Sequence, residues 1–397
     1  MNEYNSITIH PLSASTQEKR YLLSCEGRYY ETSSSIAELL VELQQNATQE
    51  EAVNAYIHKT GGRYTVEQIK QVINKFIVPI LSAPKQQKHT FLYEKELFPA
   101  TAIDRFSDAF RFLFNKIYMI CVGMVVLVLD VLFFTQTPDL LVFNDKVNAY
   151  TVIGILLFML ASSFFHELGH ASACKYFGIR HGGIGFGLYL NFPVLYTDVT
   201  EVWKLQRKQR LIVNVAGIYF QSFCLTGLLI GFMLTGNNML RYLILIMNLG
   251  FLMTLNPFFK FDGYWLVSDL LGVPNLRNRS KELIAYLYRR LRKYPVNKKP
   301  YLFQIRKAEM YGLAIYSVIV NVFMGYYFLY IIPVFLFRFV CSFPEEIQDL
   351  ILYLSNRITP PFALLRNIAM QLLFIGLLGF FFTNIVRKFR KKSAKHE

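Results

Sequence analysis

Residues 149–172 read AYTVIGILLFMLASSFFHELGHAS, an apolar run long enough to cross a bilayer as a single helix. Its second half contains three ionisable side chains, at His166, Glu167 and His170. Residues four apart share one face of a helix, so the two imidazoles face the same way. H-E-x-x-H on a helix is the pattern in which two histidines bind zinc and the glutamate acts as general base. Because ionisable groups at membrane depth are costly, the pattern favours a functional site over polar contacts between helices.

The composition indicates a membrane protein. Of the 397 residues, 53% are hydrophobic and the mean hydropathy is +0.30, with the apolar residues clustered rather than evenly spread. The five cysteines are scattered, odd in number and without a C-x-x-C pair, so they predict neither a disulfide framework nor a thiolate metal site. The N-terminus lacks a basic-then-apolar start, so no cleaved signal peptide is expected.

Six apolar stretches each approach the roughly 20 residues that a transmembrane helix needs. They predict an α-helical polytopic membrane protein with about six spans, at residues 116–134, 149–172, 211–235, 239–256, 309–337 and 362–386. The net charge of +15 follows this arrangement: basic residues concentrate in 178–210, 273–308 and the tail, whereas 135–145 and 341–350 are acidic. By the positive-inside rule, both termini and the basic loops lie in the cytoplasm of a multi-pass plasma-membrane protein. The positive charge is therefore explained by the membrane topology and by contact with anionic lipid, and nucleic-acid binding is not expected.

The first 84 residues predict a small soluble α+β domain of winged-helix size. A β-hairpin is expected around Glu26 and Gly27, followed by three amphipathic helices, two of which begin with capping-box patterns. The segment after it is amphipathic and is expected to lie along the membrane surface. The predicted divisions are a cytoplasmic domain at 1–84, a connector at 85–115, a membrane domain at 116–386 and a basic cytoplasmic tail at 387–397.

A catalytic zinc ion takes three protein ligands and keeps one position open, so a third ligand is needed. Asp262 is preferred, because Pro257 breaks the preceding helix and irregular backbone at membrane depth is tolerated where it lines a cavity. Asp130 is either a buried polar contact or the alternative third ligand. His181, if it were a fourth ligand, would indicate a closed structural site instead.

Three segments together resemble the site-2 protease family of intramembrane zinc metallopeptidases: HELGH at 166–170, VAGIYFQ at 215–221 and NPFFKFDG at 256–263. The resemblance covers roughly residues 150 to 280. It implies that His166, His170 and Asp262 bind one Zn²⁺ per chain and that Glu167 is the catalytic base.

The chain departs from that family in the middle segment. The family motif is A-G-P-x-x-N, whereas here Ile218 replaces the proline and Gln221 replaces the asparagine. The amide is kept, so the resemblance implies that Gln221, together with Asn256, supports the oxyanion or holds the substrate.

A longer run, NPFFKFDGYWLVSDLLGVPNLRNRS at 256–280, resembles the branch called peptide zinc metalloproteases, which accompanies modified-peptide and bacteriocin gene clusters. The N-terminal domain is similar in pattern to the PqqD-like domain that recognises leader peptides. That similarity implies a leader peptide bound as an added strand, with 28–31 and 66–76 as the walls of its groove.

Residues 183–199, GIGFGLYLNFPVLYTDV, predict a membrane-dipping β-hairpin. The overlapping stretch GGIGFG at 182–187 lacks a following Lys-Ser or Lys-Thr, so it does not predict a phosphate-binding loop. The hairpin edge could pair with an extended substrate, lined by Tyr189, Asn191 and Tyr196, or it could serve as a lid.

The function expected from these features is intramembrane zinc-dependent cleavage of a peptide or membrane-embedded precursor near the cytoplasmic leaflet. We expect this cleavage to serve the maturation or export of a ribosomally made modified peptide. Two alternatives remain open: a non-proteolytic peptide transporter or immunity protein with a structural zinc site, and regulated cleavage of a signalling-protein precursor.

Overall fold

The computed structural model describes residues 3–16, 18–82, 91, 93–138, 140, 149–189, 192–295 and 300–393. Its strands are β1 (Thr8–Leu12), β2 (Arg20–Cys25), β3 (Arg28–Ser33), β4 (Tyr93–Phe98), β5 (Ile184–Tyr189) and β6 (Phe192–Thr197). Its α-helices are α1 (Ser34–Gln45), α2 (Gln49–Lys59), α3 (Val66–Val72), α4 (Val78–Ser82), α5 (Ala100–Phe110), α6 (Lys116–Gln136), α7 (Ala149–Tyr176), α8 (Arg207–Thr235), α9 (Asn238–Thr254), α10 (Asp262–Leu271), α11 (Leu276–Leu291), α12 (Lys307–Tyr326), α13 (Ile332–Ser355) and α14 (Phe362–Ser393). Helices dominate, as the composition predicts.

The chain divides into two compact units. The first contains Met1–Lys88, Phe98–Ile184 and Thr197–Ser317, and the second contains His89–Leu97, Gly185–Tyr196 and Val318–Glu397. The N-terminal domain and most of the central helices belong to the first unit, and the predicted domain divisions stay a prediction.

A three-stranded antiparallel sheet in the order β1-β2-β3 forms part of the N-terminal domain. The predicted hairpin is present: Cys25 pairs with Arg28 across a two-residue turn. Glu26 and Gly27 both have positive φ, at 48° and 76°, as a type I′ turn requires. The structure adds β1, which the sequence did not predict, and leaves β3 at one edge of the sheet.

The helices that follow this sheet begin where the capping patterns predict. Thr48 and Glu51 form a reciprocal capping box before α2, and Thr65 with Gln68 does the same before α3. The third helix runs farther than 66–76, because a π-helical turn at Ile73–Ile77 joins α3 to α4. The sheet and these helices share a core whose buried members include Leu23, Leu40, Ile73 and Ile77.

Four helices are long and apolar enough to cross a membrane, which supports membrane association. Among the described residues they are Lys116–Gln136, Tyr150–Tyr176, Arg207–Thr235 and Lys307–Ser355, the last formed by α12, a π-helical turn and α13. Two further apolar helices, at Asn238–Thr254 and Phe362–Leu373, are shorter. All six predicted stretches are thus helical, and the count of six spans stays a prediction.

Helices α7 and α8 pack closely against each other in the first unit. A Cβ atom added at Gly169 would lie 2.5 Å from the carbonyl oxygen of Ala216 and 2.9 Å from the ring of Phe220. Small residues therefore allow the two backbones to approach closely, as is common between membrane helices. The surrounding core is apolar and aromatic, with Phe114 and Phe220 buried and stacked.

A second sheet, in the order β4-β5-β6, contains the predicted hairpin at 183–199. Its strand β4 lies inside the predicted connector at 85–115, and the sequence did not predict this strand. The reason is that a strand whose partner lies far along the chain carries little local signal. Within the second unit, the ring of Tyr196 stacks on the ring of Phe91, with the ring centroids 4.6 Å apart.

Candidate metal centre

Three side chains that could bind a metal converge where α7 meets the start of α10. The Nε2 atoms of His166 and His170 lie 2.9 Å and 3.2 Å from Oδ2 of Asp262, and 3.1 Å from each other. One ligand atom from each residue lies within 4.8 Å of the others. Two imidazole nitrogens and one carboxylate oxygen form the ligand set of many catalytic zinc sites. The ligand atoms are therefore close enough, and of the right chemistry, to share one zinc ion.

Helix α8 orients both imidazoles from behind. Nδ1 of His170 lies 2.8 Å from the carbonyl oxygen of Val213, and Nδ1 of His166 lies 3.0 Å from Oε1 of Gln221. The Gln221 amide nitrogen in turn donates to the Ser162 hydroxyl at 3.0 Å, which fixes the direction of the amide. Since both Nδ1 partners are acceptors, each Nδ1 carries the proton and each Nε2 lone pair faces the cluster. This is the arrangement that metal-binding histidines use.

Gly217 makes this arrangement sterically possible. A Cβ atom at this position would collide with the His166 ring, because α8 passes directly behind the imidazole. The Ala-Gly pair at 216–217 therefore serves close packing: Ala216 meets α7 at Gly169, and Gly217 leaves room for His166.

Asp262 is held at the first position of α10 by the irregular segment before it. The Asn256 side chain accepts a hydrogen bond from the Phe258 backbone N–H at 2.8 Å, which stabilises the turn after α9. Arg277 donates to the Phe258 carbonyl oxygen at 2.6 Å. Gly263 packs so tightly on the Leu255 carbonyl that a Cβ atom would collide with it. The predicted irregular backbone is thus confined to the residues before Asp262, which itself begins a helix.

The Asp262 carboxyl lies at the first position of α10 and faces both imidazoles, with Oδ2 2.9 Å from Nε2 of His166 and 3.2 Å from Nε2 of His170. A carboxylate at a helix N-terminus is stabilised by the helix dipole. An anionic oxygen beside two neutral imidazole nitrogens is a favourable cation site.

Glu167 lies beside the cluster and is not one of its three members. Its side chain is buried, and it lies on the same turn of α7 as His166 and His170. The Thr197 hydroxyl donates to the Glu167 carbonyl oxygen at 3.2 Å. Glu167 therefore lies on the helical turn that carries both histidines and does not belong to the three-residue ligand set.

The other two candidate ligands lie elsewhere. Asp130, half-buried on α6, accepts a hydrogen bond from the Asn248 amide at 2.9 Å. His181 is buried with Nε2 2.9 Å from the Ser107 hydroxyl and Nδ1 2.8 Å from the carbonyl oxygen of Gly182. Neither side chain belongs to the three-residue cluster.

The remaining predicted site residues have other partners or lie outside the described part of the chain. Gln221 contacts the back of an imidazole, and Asn256 stabilises the turn before Asp262. Tyr189 is buried in β5 and Tyr196 stacks in the second sheet. Asn191 lies outside the described residues.

Sequence reasoning missed Ser162, Val213 and Gly217 as supports of the histidines. Val213 acts through its backbone, so its side chain carries no signal. Ser162 lies four residues before His166, a helical spacing that could have suggested a polar face on α7. Gly217 could have been recognised as a close-approach position, since glycine within a helix weakens it unless packing requires it.

Comparison with known proteins gives a distant relative. The chain is 28% identical over 156 residues to the "Putative peptide zinc metalloprotease protein YydH" of Bacillus subtilis (strain 168). The similarity covers 34% of this chain and 62% of that protein, so the chain spans less than two thirds of the relative's length. No family model and no solved structure matches the chain.

Proposed function

We propose that this protein is an intramembrane zinc metalloprotease of the site-2 type. The observation that carries the proposal is the convergence of His166, His170 and Asp262 within 4.8 Å, with Glu167 beside them and outside the ligand set. The name of the Bacillus relative, a peptide zinc metalloprotease, supports the same chemistry. Three ligands leave a position open for substrate or water, which is the difference between a catalytic and a structural zinc site.

Zinc held by these three side chains would supply Lewis acidity, which polarises a peptide carbonyl and makes water a better nucleophile. The protein's own part is proton transfer and orientation. Glu167 takes the proton from the attacking water and returns it to the leaving amine, as a buried carboxylate beside the reacting atoms can do. Gln221 and the Val213 carbonyl keep the two imidazoles in the tautomer that presents Nε2 to the ion.

The location of this chemistry follows from α7. The H-E-x-x-H residues lie in the second half of Tyr150–Tyr176, a helix long and apolar enough to cross a membrane. The basic loops before α8 and around α11 support a cytoplasmic position for that end of the helix. We therefore place cleavage near the cytoplasmic leaflet of a multi-pass plasma-membrane protein, with both termini in the cytoplasm.

A groove in the N-terminal domain supports a peptide substrate. It has a volume of about 250 Å³ and lies between β3 and the helical segment that ends in α4. Its lining is mostly apolar and contains Leu23, Tyr30, Glu31, Thr32, Ile36, Lys75, Phe76, Pro79 and Ile80. Since β3 is an edge strand, a leader peptide could add to it and place alternate side chains in the groove. This supports maturation of a leader-bearing precursor over cleavage of a signalling-protein precursor.

The structural-zinc alternative needs a fourth ligand. His181, the candidate for that role, has Ser107 and Gly182 as partners, and the cluster has three members among the described residues. A transporter or immunity protein with a closed zinc site is therefore the weaker proposal.

The test uses the purified full-length chain and a short precursor peptide encoded beside its gene. Zinc should co-purify at about one ion per chain. Glu167→Gln, which keeps the shape of the side chain, should retain this zinc and abolish cleavage detected by mass spectrometry. Cleavage by this variant at the parental rate would refute the assigned base, and a chain without zinc would refute the metalloprotease.

A further inference from the structure

The connection between β1 and β2 caps the C-terminal end of α10. The Ser15 backbone N–H donates to the Gly272 carbonyl oxygen at 3.0 Å, and its hydroxyl donates to the Leu271 carbonyl oxygen at 2.7 Å. Ser15 is only 2% exposed, and a Cβ atom at Gly272 would collide with its hydroxyl. The last carbonyls of a helix have no partner inside it, so donors from elsewhere satisfy them. Here the N-terminal domain supplies those donors.

Arginines from α8 hold the same connection. Arg207 donates to the Ser15 hydroxyl at 3.3 Å, and Arg210 donates to the Ser13 carbonyl oxygen at 3.2 Å. Arg210 also forms a buried ion pair with Asp269 of α10, with Nε 2.6 Å from Oδ1. The N-terminal domain, α8 and α10 therefore meet at one buried polar junction.

Helix α10 is short: Ser15 caps its C-terminal end, and Asp262 lies at its N-terminal end. Ten residues rise about 15 Å, so a change at the capped end tilts the whole helix. At the other end, Asp262 must remain within hydrogen-bond distance of both His166 and His170. A small tilt of α10 would move the carboxylate away from the imidazoles.

We propose that Ser15 is a positioning residue for the metal centre. By capping α10 it holds Asp262 against the two histidines, so the N-terminal domain is part of the scaffold of the site as well as a peptide-binding domain. This role rests on the proposed zinc chemistry. It differs from peptide binding, which is proposed for the groove, and from the two metal ligands that α7 provides.

The experiment uses the full-length chain in detergent, with its zinc removed by chelation. The Kd for Zn²⁺ is measured by competition with a chromophoric chelator, and hydrogen exchange is followed in the peptide covering 262–272. Ser15→Ala removes one donor to a helix carbonyl and should weaken zinc binding by about 3- to 10-fold while exchange in 262–272 accelerates. Ser13→Ala is the matched control, because Ser13 is exposed and joins the junction through its backbone carbonyl. Its zinc Kd and exchange should match the parent.

Both measurements are needed. Equal zinc Kd values for Ser15→Ala, Ser13→Ala and the parent would overturn the positioning role and leave the metalloprotease standing. Faster exchange with an unchanged zinc Kd would also overturn it, because Ser15 would then only stabilise the end of a helix. A parent chain without zinc affinity would refute the proposed function itself and this role with it.

Discussion

Gly217→Ala places one methyl group against the back of the His166 ring. The structure leaves no room for it, since the added Cβ would collide with the ring. Ordinary carbon contacts are about 3.5–4.0 Å, so either the imidazole or α8 must move by about 1 Å. Both movements disturb the ligand geometry, because the same helix holds Nδ1 of His166 through Gln221.

The expected magnitude follows from the cost of overpacking. Extra carbon in a close-packed interior costs about 1–3 kcal/mol. If the strain is relieved when His166 leaves its metal-binding position, zinc affinity falls by about 5- to 150-fold, at about 1.4 kcal/mol for each factor of ten. The assay is the zinc Kd from chelator competition, with circular dichroism to verify that the helices remain folded.

Gly227→Ala is the matched control for this prediction. It makes the same substitution in the same helix, but a Cβ atom at Gly227 has nothing within 4 Å. Alanine is also the better helix former, so this variant should bind zinc as the parent does. Identical zinc Kd values for the two variants would refute the steric account of Gly217 and question the position of α8 behind His166.

Three further outcomes are expected. Asp262→Ala should lose zinc whereas Asp130→Ala should keep it, and the opposite result, by metal analysis, would transfer the third ligand to α6. Gln221→Leu should weaken zinc binding by about 10- to 100-fold through the loss of the His166 tautomer, and parental affinity would exclude this supporting role. Phe76→Ala should raise KM for the full precursor several-fold, whereas Val66→Ala, an exposed apolar change outside the groove lining, should not; an equal effect of both would count against the groove.

Local patterns predicted local structure well. The hairpin turn at Glu26 and Gly27 and the capping boxes at Thr48 and Thr65 depend on residues within a few positions of one another. The H-E-x-x-H spacing is equally local, so the shared face of His166 and His170 was readable from the sequence.

Features that join distant segments were not predictable in the same way. The pairing of β4 with β5 and the capping of α10 by Ser15 join residues far apart in the chain, and no local pattern marks them. The position of Asp262 was anticipated from a helix-breaking proline and a family resemblance. The contact between Gln221 and His166 was not, because an amide on α8 fits an oxyanion role as readily as a hydrogen bond to an imidazole.

Helix α8 orients both histidines, and the third ligand comes from another helix. Zinc binding would therefore contribute to the stability of the folded protein. Val213 and Gln221 hold both imidazoles of α7 from α8, while the third ligand comes from α10, so a bound ion would join α7 directly to α10. A ligand that binds only the folded state stabilises it by about 4 kcal/mol at a thousand times its Kd. The chain made in a zinc-starved cell would then lack this contribution and open more often along α7 and α8. Zinc starvation would thus lower the amount of the folded protein as well as the fraction that holds zinc.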